Sequence, residues 1–311
     1  FIIKLLVNFY FMQKKIITKI SEGLGNQLFM YANSYSLSKK FNLEFFIDPY
    51  SGYFKKNIYK FMLNNFNISS NIAPSNWVFA NEYRNFLKKM HIKVDFFKKN
   101  KSFLFEKKKF DKSTFFNPVD IDNTNKIFYL DGNFESEKYF IDYRNDLLNE
   151  FSLINNNFYK NKYLDLIKKN NVVSICVRQN RFSERIINKY NNISRTKSDN
   201  FVKDTIEYIY RSIDFIKNKI KNPKFLLWSN DFKNLNQYFP TEDFIFVDNK
   251  KDKIITDFYL LTQCRSFIIG PSTFNWWGAW LSNSENKICI RPKNLNPSNN
   301  IDFWPESWLA L

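Results

Sequence analysis

Glycine is scarce in this chain, six residues in 311, which excludes glycine-rich linker and collagen-like sequence. Cysteine is limited to Cys176, Cys264 and Cys289, each beside apolar residues and none in C-x-x-C spacing. That argues against a disulfide framework and a thiolate metal site, so a reducing cytosol is the expected setting. Histidine occurs once, as His91 in L-K-K-M-H-I-K, so a histidine metal cluster or a Ser-His relay would rest on one unsupported residue. Proton transfer is therefore expected from carboxylates. No apolar run reaches the roughly 20 residues of a membrane span: the stretch Phe1 to Phe11 falls short, and no small-residue cleavage site follows it. Phe1 is no initiator, and Met12 is expected to be the natural start, with the residues before it as upstream readthrough.

What is plentiful is charge and aromatic surface. With 44% hydrophobic and 25% charged residues the chain is globular rather than disordered, and its length allows two α/β domains with real cores. The formal net charge of +17, from 47 Lys and Arg against 30 Asp and Glu, suits nucleic acid, an anionic membrane face or a phosphorylated substrate. The same chain is crowded with Lys, Asn, Ile, Phe and Tyr, a bias that AT-rich coding also produces, so charge alone selects no partner.

The most informative stretch is T-Q-C-R-S-F-I-I-G-P-S-T-F-N-W-W-G-A-W-L, Thr262 to Leu281. Phe267 to Ile269 is a short apolar run expected of a buried strand, stopped by Gly270 and Pro271. Ser272 and Thr273 stand where a helix needs its N-cap, and Phe274, Trp276, Trp277, Trp280 and Leu281 make that helix apolar nearly all round. A buried helix start offers free N–H groups and a dipole to an anion; an ordinary strand-turn-helix core fits the same residues equally well.

Earlier in the chain, Ile16, Ile17 and Ile20 suggest a first strand, followed by S-E-G-L-G-N-Q-L-F from Ser21 to Phe29. Leu28, Tyr31, Ala32 and Tyr35 form a helical stripe, and Leu43 to Asp48 a second strand, making a βαβ unit. Leu28 stands where a dinucleotide fingerprint needs its third glycine, so this turn alone is a weak pyrophosphate site. Tyr53 to Lys126 shows little period and predicts loops and short helices. Its D-x-D triplet, Asp120-Ile121-Asp122, lies in turn-rich sequence and reads as solvated loop. A strand at Phe128 to Leu130 leads to a helical stripe of Phe140, Tyr143, Leu147 and Phe151, and the Asn-rich stretch at Asn155 to Asn157 is the expected domain boundary, giving domains 12–155 and 156–311.

Beyond the boundary, strands at Val172 to Val177, Phe225 to Trp228 and Phe244 to Val247 alternate with helices, one capped by Asp199 and one starting near Thr256. Alternation implies a parallel sheet whose ligands bind beyond the strands' carboxyl ends, where Arg178, Asp231 and Ser272/Thr273 fall.

Four motifs in order resemble those of bacterial α-1,2-fucosyltransferases of glycosyltransferase family 11: G-L-G-N-Q-L-F at Gly23 to Phe29, D-G-N-F-E-S-E-K-Y-F at Asp131 to Phe140, W-S-N-D at Trp228 to Asp231, and P-S-T-F-N-W-W-G-A-W-L at Pro271 to Leu281. The resemblance runs from about Ile16 to Trp308 and is weakest between Tyr53 and Lys126. It implies two Rossmann-like domains facing a cleft in the GT-B manner, an acceptor-side N-terminal domain and a C-terminal donor domain. It also implies an inverting, metal-independent enzyme with GDP-fucose as donor and a galactosyl 2-hydroxyl as acceptor.

One motif departs from the pattern. Where the family shows H-x-R-R-G-D, this chain has Cys176, Arg178, Gln179, Asn180 and Arg181, keeping only the first arginine as Arg178. By that resemblance, Arg178 grips the β-phosphate with its planar fork, Cys176 stands at the histidine's position, and Ser272, Thr273 and the helix start add donors. Phe274 and the Gly23, Gly25, Asn26 and Gln27 turn shape the pocket, Ser229 belongs to the W-S-N-D strand end, and Asp231 or Asp257 accepts from guanine N–H groups or serves as a helix cap. Glu184 or Glu22 takes the acceptor proton, unless the transition state is loose enough to need little base.

Two other readings stay open. The changed motif suits a catalytically impaired nucleotide-sugar or glycan-binding relative, and the basic, aromatic composition suits single-stranded nucleic acid, although no recognised nucleic-acid motif is present. For the enzyme reading, the charge suggests a cytoplasmic protein held peripherally on an anionic inner membrane face where lipid-linked glycans are built.

Overall fold

A computed structural model describes residues 13–55, 58–97, 101–121, 125–154, 161–184, 192–249 and 253–311. The chain divides into two compact units, the first running to Ser152 and including Asn299–Phe303, the second comprising Leu153–Ser298 and Trp304–Leu311. The boundary expected at Asn155 to Asn157, the expected start at Met12 and the Asp122 of the D-x-D triplet lie outside the described residues. A return segment near the C-terminus thus belongs to the first unit, which a linear division of the chain does not contain.

The first unit is built on β1 (Lys15–Lys19), α1 (Leu24–Phe41), β2 (Glu44–Asp48), β3 (Asn71–Ile72), α2 (Glu82–Phe97), β4 (Phe103–Phe105), β5 (Ile127–Asp131) and α3 (Arg144–Glu150). Its five strands are all parallel in the order β3-β2-β1-β5-β4. β5 comes back between β1 and β4, so the order reverses at the β1–β5 seam. Ile17, Phe46 and Tyr129 pack one face with Ala73 and Val78. α1 is buried at every position from Leu24 to Ser38 except Asn26, which is why its sequence shows no clean polar side. Where a helical stripe was expected to run straight through Phe140, two 3₁₀ turns (Glu137–Tyr139 and Ile141–Tyr143) precede the short α3.

The stretch expected to hold only loops and short helices contains α2, sixteen residues long. Its inner side is polar: the buried Lys88 donates to Asp131 at 2.7 Å with its ammonium over the Tyr129 ring, and the buried Asp95 accepts from the Ser102 and Phe103 amides. A helix that turns charge inward defeats a reading that seeks an apolar inner stripe.

The second unit runs α4 (Lys162–Lys169), β6 (Val172–Val177), α5 (Asn192–Lys217), β7 (Lys224–Ser229), β8 (Phe244–Phe246), α6 (Lys253–Gln263), β9 (Ser266–Ile268), α7 (Thr273–Leu281), β10 (Ile288–Arg291) and β11 (Leu309–Ala310). All six strands are parallel, in the order β11-β10-β9-β6-β7-β8. The chain moves outward from β6 through β7 to β8, then returns to lay β9 on the other side of β6. This is the doubly wound order, and its switch point is the β6–β9 seam. Val173, Ile175, Phe225, Leu227 and Ile268 pack one face against Ile206, Ile209 and Ile213 of α5. α5 begins at Asn192, so Asp199 lies inside it rather than capping it. Cys176, Cys264 and Cys289 are all free and buried. Among the described residues, no helix is long and apolar enough to cross a membrane.

Candidate functional site

The residues singled out in the second unit gather at the carboxyl edge of its sheet. In-register pairing sets Val177 beside Ser229, and Ile175 beside Ile268, so the segments leaving β7, β6 and β9 emerge side by side. Neighbouring parallel strands lie about 4.8 Å apart, which puts Arg178, just after β6, next to the turn that follows β9. That turn approaches as closely as backbone allows. A Cβ added to Gly270 would stand 2.9 Å from the Cys176 carbonyl carbon, nearer still to its oxygen, and 2.8 Å from Asn275 Nδ2. Only a bare residue fits, a constraint that the sequence carried as a strand stop.

Ser272 is the N-cap of α7, its hydroxyl accepting from the Asn275 amide at 3.2 Å. The helix behind it is anchored by Trp276 and Trp277, both fully buried and edge-on at 4.9 Å. Thr273 is the first helical residue, and the half-buried Phe274 meets Phe258 edge-on at 5.4 Å.

Arg178 is ion-paired with Glu184 on the same loop, both side chains about one-quarter exposed. That loop is laced to the one after β7. Gln179 N–H donates to Asn230 Oδ1 at 2.8 Å, Asn230 returns a bond to the Gln179 carbonyl at 3.1 Å, and Gln179 Nε2 reaches the Asp231 and Lys233 carbonyls at 2.6 and 3.0 Å. Asn230 and Gln179 are thus braces that sequence reasoning did not single out, although both lie in the motifs quoted. Ser229 is buried and bonds within the same turn, and the Asp231 carboxylate accepts from the Lys233 amide at 2.9 Å. Asp231 thus closes its own turn, and the N-cap of the 3₁₀ turn that follows, Leu235–Gln237, is Asn234. Cys176 is buried, and what it presents to the strand end is its carbonyl.

Asp257 is buried on α6, accepting from Asn249 Nδ2 at 2.6 Å, and Asn249 is held in turn by Asn161 at 3.0 Å. Burial pushes the Asp257 carboxyl up to about 6, with the Asn249 hydrogen bond opposing it. Arg291, the last residue of β10, was not singled out from the sequence. It lies one strand beyond β9, and its buried Nε has no hydrogen-bond partner among the described residues. Burial lowers its pKa from the ordinary arginine value.

The residues singled out in the first unit form a separate group at the end of β1. Glu22 holds a left-handed backbone, φ 66°, while Gly23 is an extended N-cap with φ −76°. The sharp conformation thus falls on the glutamate and not on the glycine, where a Cβ would lie in ordinary contact with the Tyr59 ring, at 3.4 Å. Gly25 is buried within α1. Asn26 donates to Glu135 at 3.0 Å. Gln27 is fully buried, and its amide ties together the Glu22 and Lys60 carbonyls and the Met62 amide, each at 2.9 Å. Gln27 is therefore an internal brace of this turn, not a side chain presented to a ligand. Among the described residues, no group of three or more His, Cys, Asp or Glu gathers so as to hold a metal ion.

A doubly wound parallel sheet, with a guanidinium and a capped, half-buried helix start at its switch point, defines an α/β protein of the kind that binds ligands beyond its strand ends. The model of glycosyl transferase family 11 matches residues 15–307, and the chain belongs to that family. It is similar to an alpha-1,2-colitosyltransferase of Escherichia coli, 28% identical over 155 residues that cover 47% of this chain and 50% of that one. It is also similar to the O-antigen biosynthesis glycosyltransferase WbnK of Escherichia coli, 28% identical over 109 residues, 34% of this chain and 36% of that one. The chain thus matches half or less of the length of these relatives. Among solved structures, the fucosyltransferase NodZ from Bradyrhizobium aligns with 86% of this chain and 92% of its own, at 11% identity and a TM-score of 0.47.

Proposed function

We propose that this chain transfers L-fucose from GDP-fucose to the 2-hydroxyl of a galactosyl residue in a surface glycan, with inversion and without a metal ion. The observation that carries the reading is the placement of Arg178 and the Ser272-capped start of α7 on neighbouring strand ends at the β6–β9 switch point. The sheet order of the second unit supports a Rossmann-like donor domain, and a GT-B pairing with a second such domain is part of the same reading.

In this reaction the acceptor oxygen bonds to the anomeric carbon as the bond to the β-phosphate oxygen breaks, and negative charge collects on the leaving diphosphate. Arg178, the Ser272 and Thr273 hydroxyls and the α7 amides are donors aimed where that charge grows. One such preorganised donor is worth about 2.7 to 4 kcal/mol of barrier. The Arg178–Glu184 pair adds a coupling. When the diphosphate takes the guanidinium, Glu184 is released and can accept the proton of the attacking hydroxyl. Glu22 is the second candidate base, favoured by its strained left-handed backbone in a non-glycine residue. Asp257 has one oxygen engaged by Asn249 and offers the other to guanine N–H donors.

Similarity to a colitosyltransferase favours a second reading in which the transferred sugar is colitosyl and the acceptor chemistry is the same. Released GDP, measured with GDP-fucose and other GDP-sugars against a panel of galactosides, separates the two. Arg178→Ala should lower kcat/KM by about 10²- to 10³-fold while leaving the melting temperature nearly unchanged, because its ion pair is partly solvated. Activity retained within threefold in that variant would remove Arg178 from the site.

A further inference from the structure

α2 is amphipathic in the reverse sense. Tyr83, Phe86, Met90 and Val94 recur at i, i+3, i+7 and i+11, the spacing of one helical face, and are 71%, 58%, 44% and 48% exposed. The opposite side holds the buried Lys88 and Asp95 that bind the sheet. Single exposed apolar residues are ordinary, but four large ones aligned on a helix make a continuous strip.

The charges beside the strip have one sign. Lys89 and Lys93 stand exposed along its flank, with His91 on the other side. Of the two acids on α2, Asp95 is buried and Glu82 is paired with Lys55 at 3.7 Å. Protein–protein interface cores are depleted in lysine, whereas helices that lie in a membrane interface combine aromatic and aliphatic side chains on one face with lysines at its margin. The net charge of +17 acts in the same direction.

We propose that the outer face of α2 is a docking surface for an anionic lipid bilayer, with Tyr83, Phe86, Met90 and Val94 entering the headgroup boundary and Lys89 and Lys93 meeting the lipid phosphates. This does not depend on the glycosyl transfer reading, since no residue of α2 belongs to the proposed catalytic set.

The test is sedimentation of the full chain with phosphatidylcholine vesicles, with and without phosphatidylglycerol. The wild type should pellet with the anionic vesicles and be released by salt. Phe86→Ser/Met90→Ser/Val94→Ser should lower partition by at least about tenfold. Lys89→Glu/Lys93→Glu should lower it by more than about 25-fold, a lysine near such a surface contributing about fivefold. Both variants change exposed side chains, so unaltered melting temperatures and GDP binding should accompany the loss. Equal pelleting of the triple serine variant and the wild type, or no preference for anionic vesicles, would overturn the proposal. So would a lipid-free dimer that the triple variant dissociates, since a second copy would then cover the face.

Discussion

Gly270→Ala tests the seam on which the site is built. The added methyl would stand 2.8 Å from Asn275 Nδ2 and 2.9 Å from the Cys176 carbonyl carbon, closer than real Cβ atoms come to such atoms. The Asn275 side chain can swing aside, but the Cys176 backbone cannot yield cheaply, because it is paired with Trp228 in the β6 ladder and its carbonyl carbon and oxygen both face the methyl. The turn must lift away from β6, at the upper end of overpacking costs, about 3 kcal/mol. That corresponds to a fall in melting temperature of about 6 to 12 °C for a unit of this size. The same lift moves the capped helix start away from Arg178, so GDP affinity should fall at least about tenfold, one lost charge-assisted hydrogen bond being worth 1.4 kcal/mol or more. Gly278→Ala is the matched control. Its methyl would press on the Leu261 side chain between α6 and α7, at 2.8 Å, so stability should fall while GDP affinity holds. Calorimetric melts and GDP titration on the folded variants give both numbers. A Gly270→Ala protein that melts within about 2 °C of the wild type and binds GDP equally well would refute the reasoning, since that shift corresponds to at most about 1 kcal/mol.

The remaining predictions concern titratable groups. Glu184→Gln should raise GDP affinity several-fold, because the diphosphate no longer competes with a carboxylate for Arg178, and should depress turnover; an unchanged kcat would shift the base assignment to Glu22. Asp257 titrates near 6 when folded against an ordinary 3.8. Because folding favours its protonated form, its contribution to stability is complete below the unfolded value and is lost as pH rises through about 6, an effect of about 3 kcal/mol. Asp257→Asn should therefore melt several degrees higher at pH 7.5, lose the slope between pH 4 and 6, and bind GDP more weakly; melts that keep the wild-type slope would contradict this.

Much of the second unit was legible in the amino-acid sequence. Phe267 to Ile269, the stop at Gly270-Pro271 and the hydroxyl before a tryptophan-rich helix read directly as strand, turn and cap, because each is a local signal of propensity or hydrogen bonding. Arg178 and Asp231 could be placed at strand ends for the same reason. α2 was not legible, since its periodicity is apolar outward and its inward Lys88 finds Asp131 only after β5 has formed. Nor was Gln27, whose seven-residue motif looks ligand-facing until the carbonyls of Glu22 and Lys60 claim its amide.

The sequence by itself determined most strands and helices of the second unit and the family, which depend on local pattern. Only the tertiary structure decided that β9 returns beside β6, that Gly270 is bare because a neighbouring strand's carbonyl occupies the space, and that Arg178 is held by Glu184. These facts arise from contacts between residues far apart in the chain or folded against one another in a loop. Strand order and side-chain partnership have no signature in the spacing of residues along a single segment.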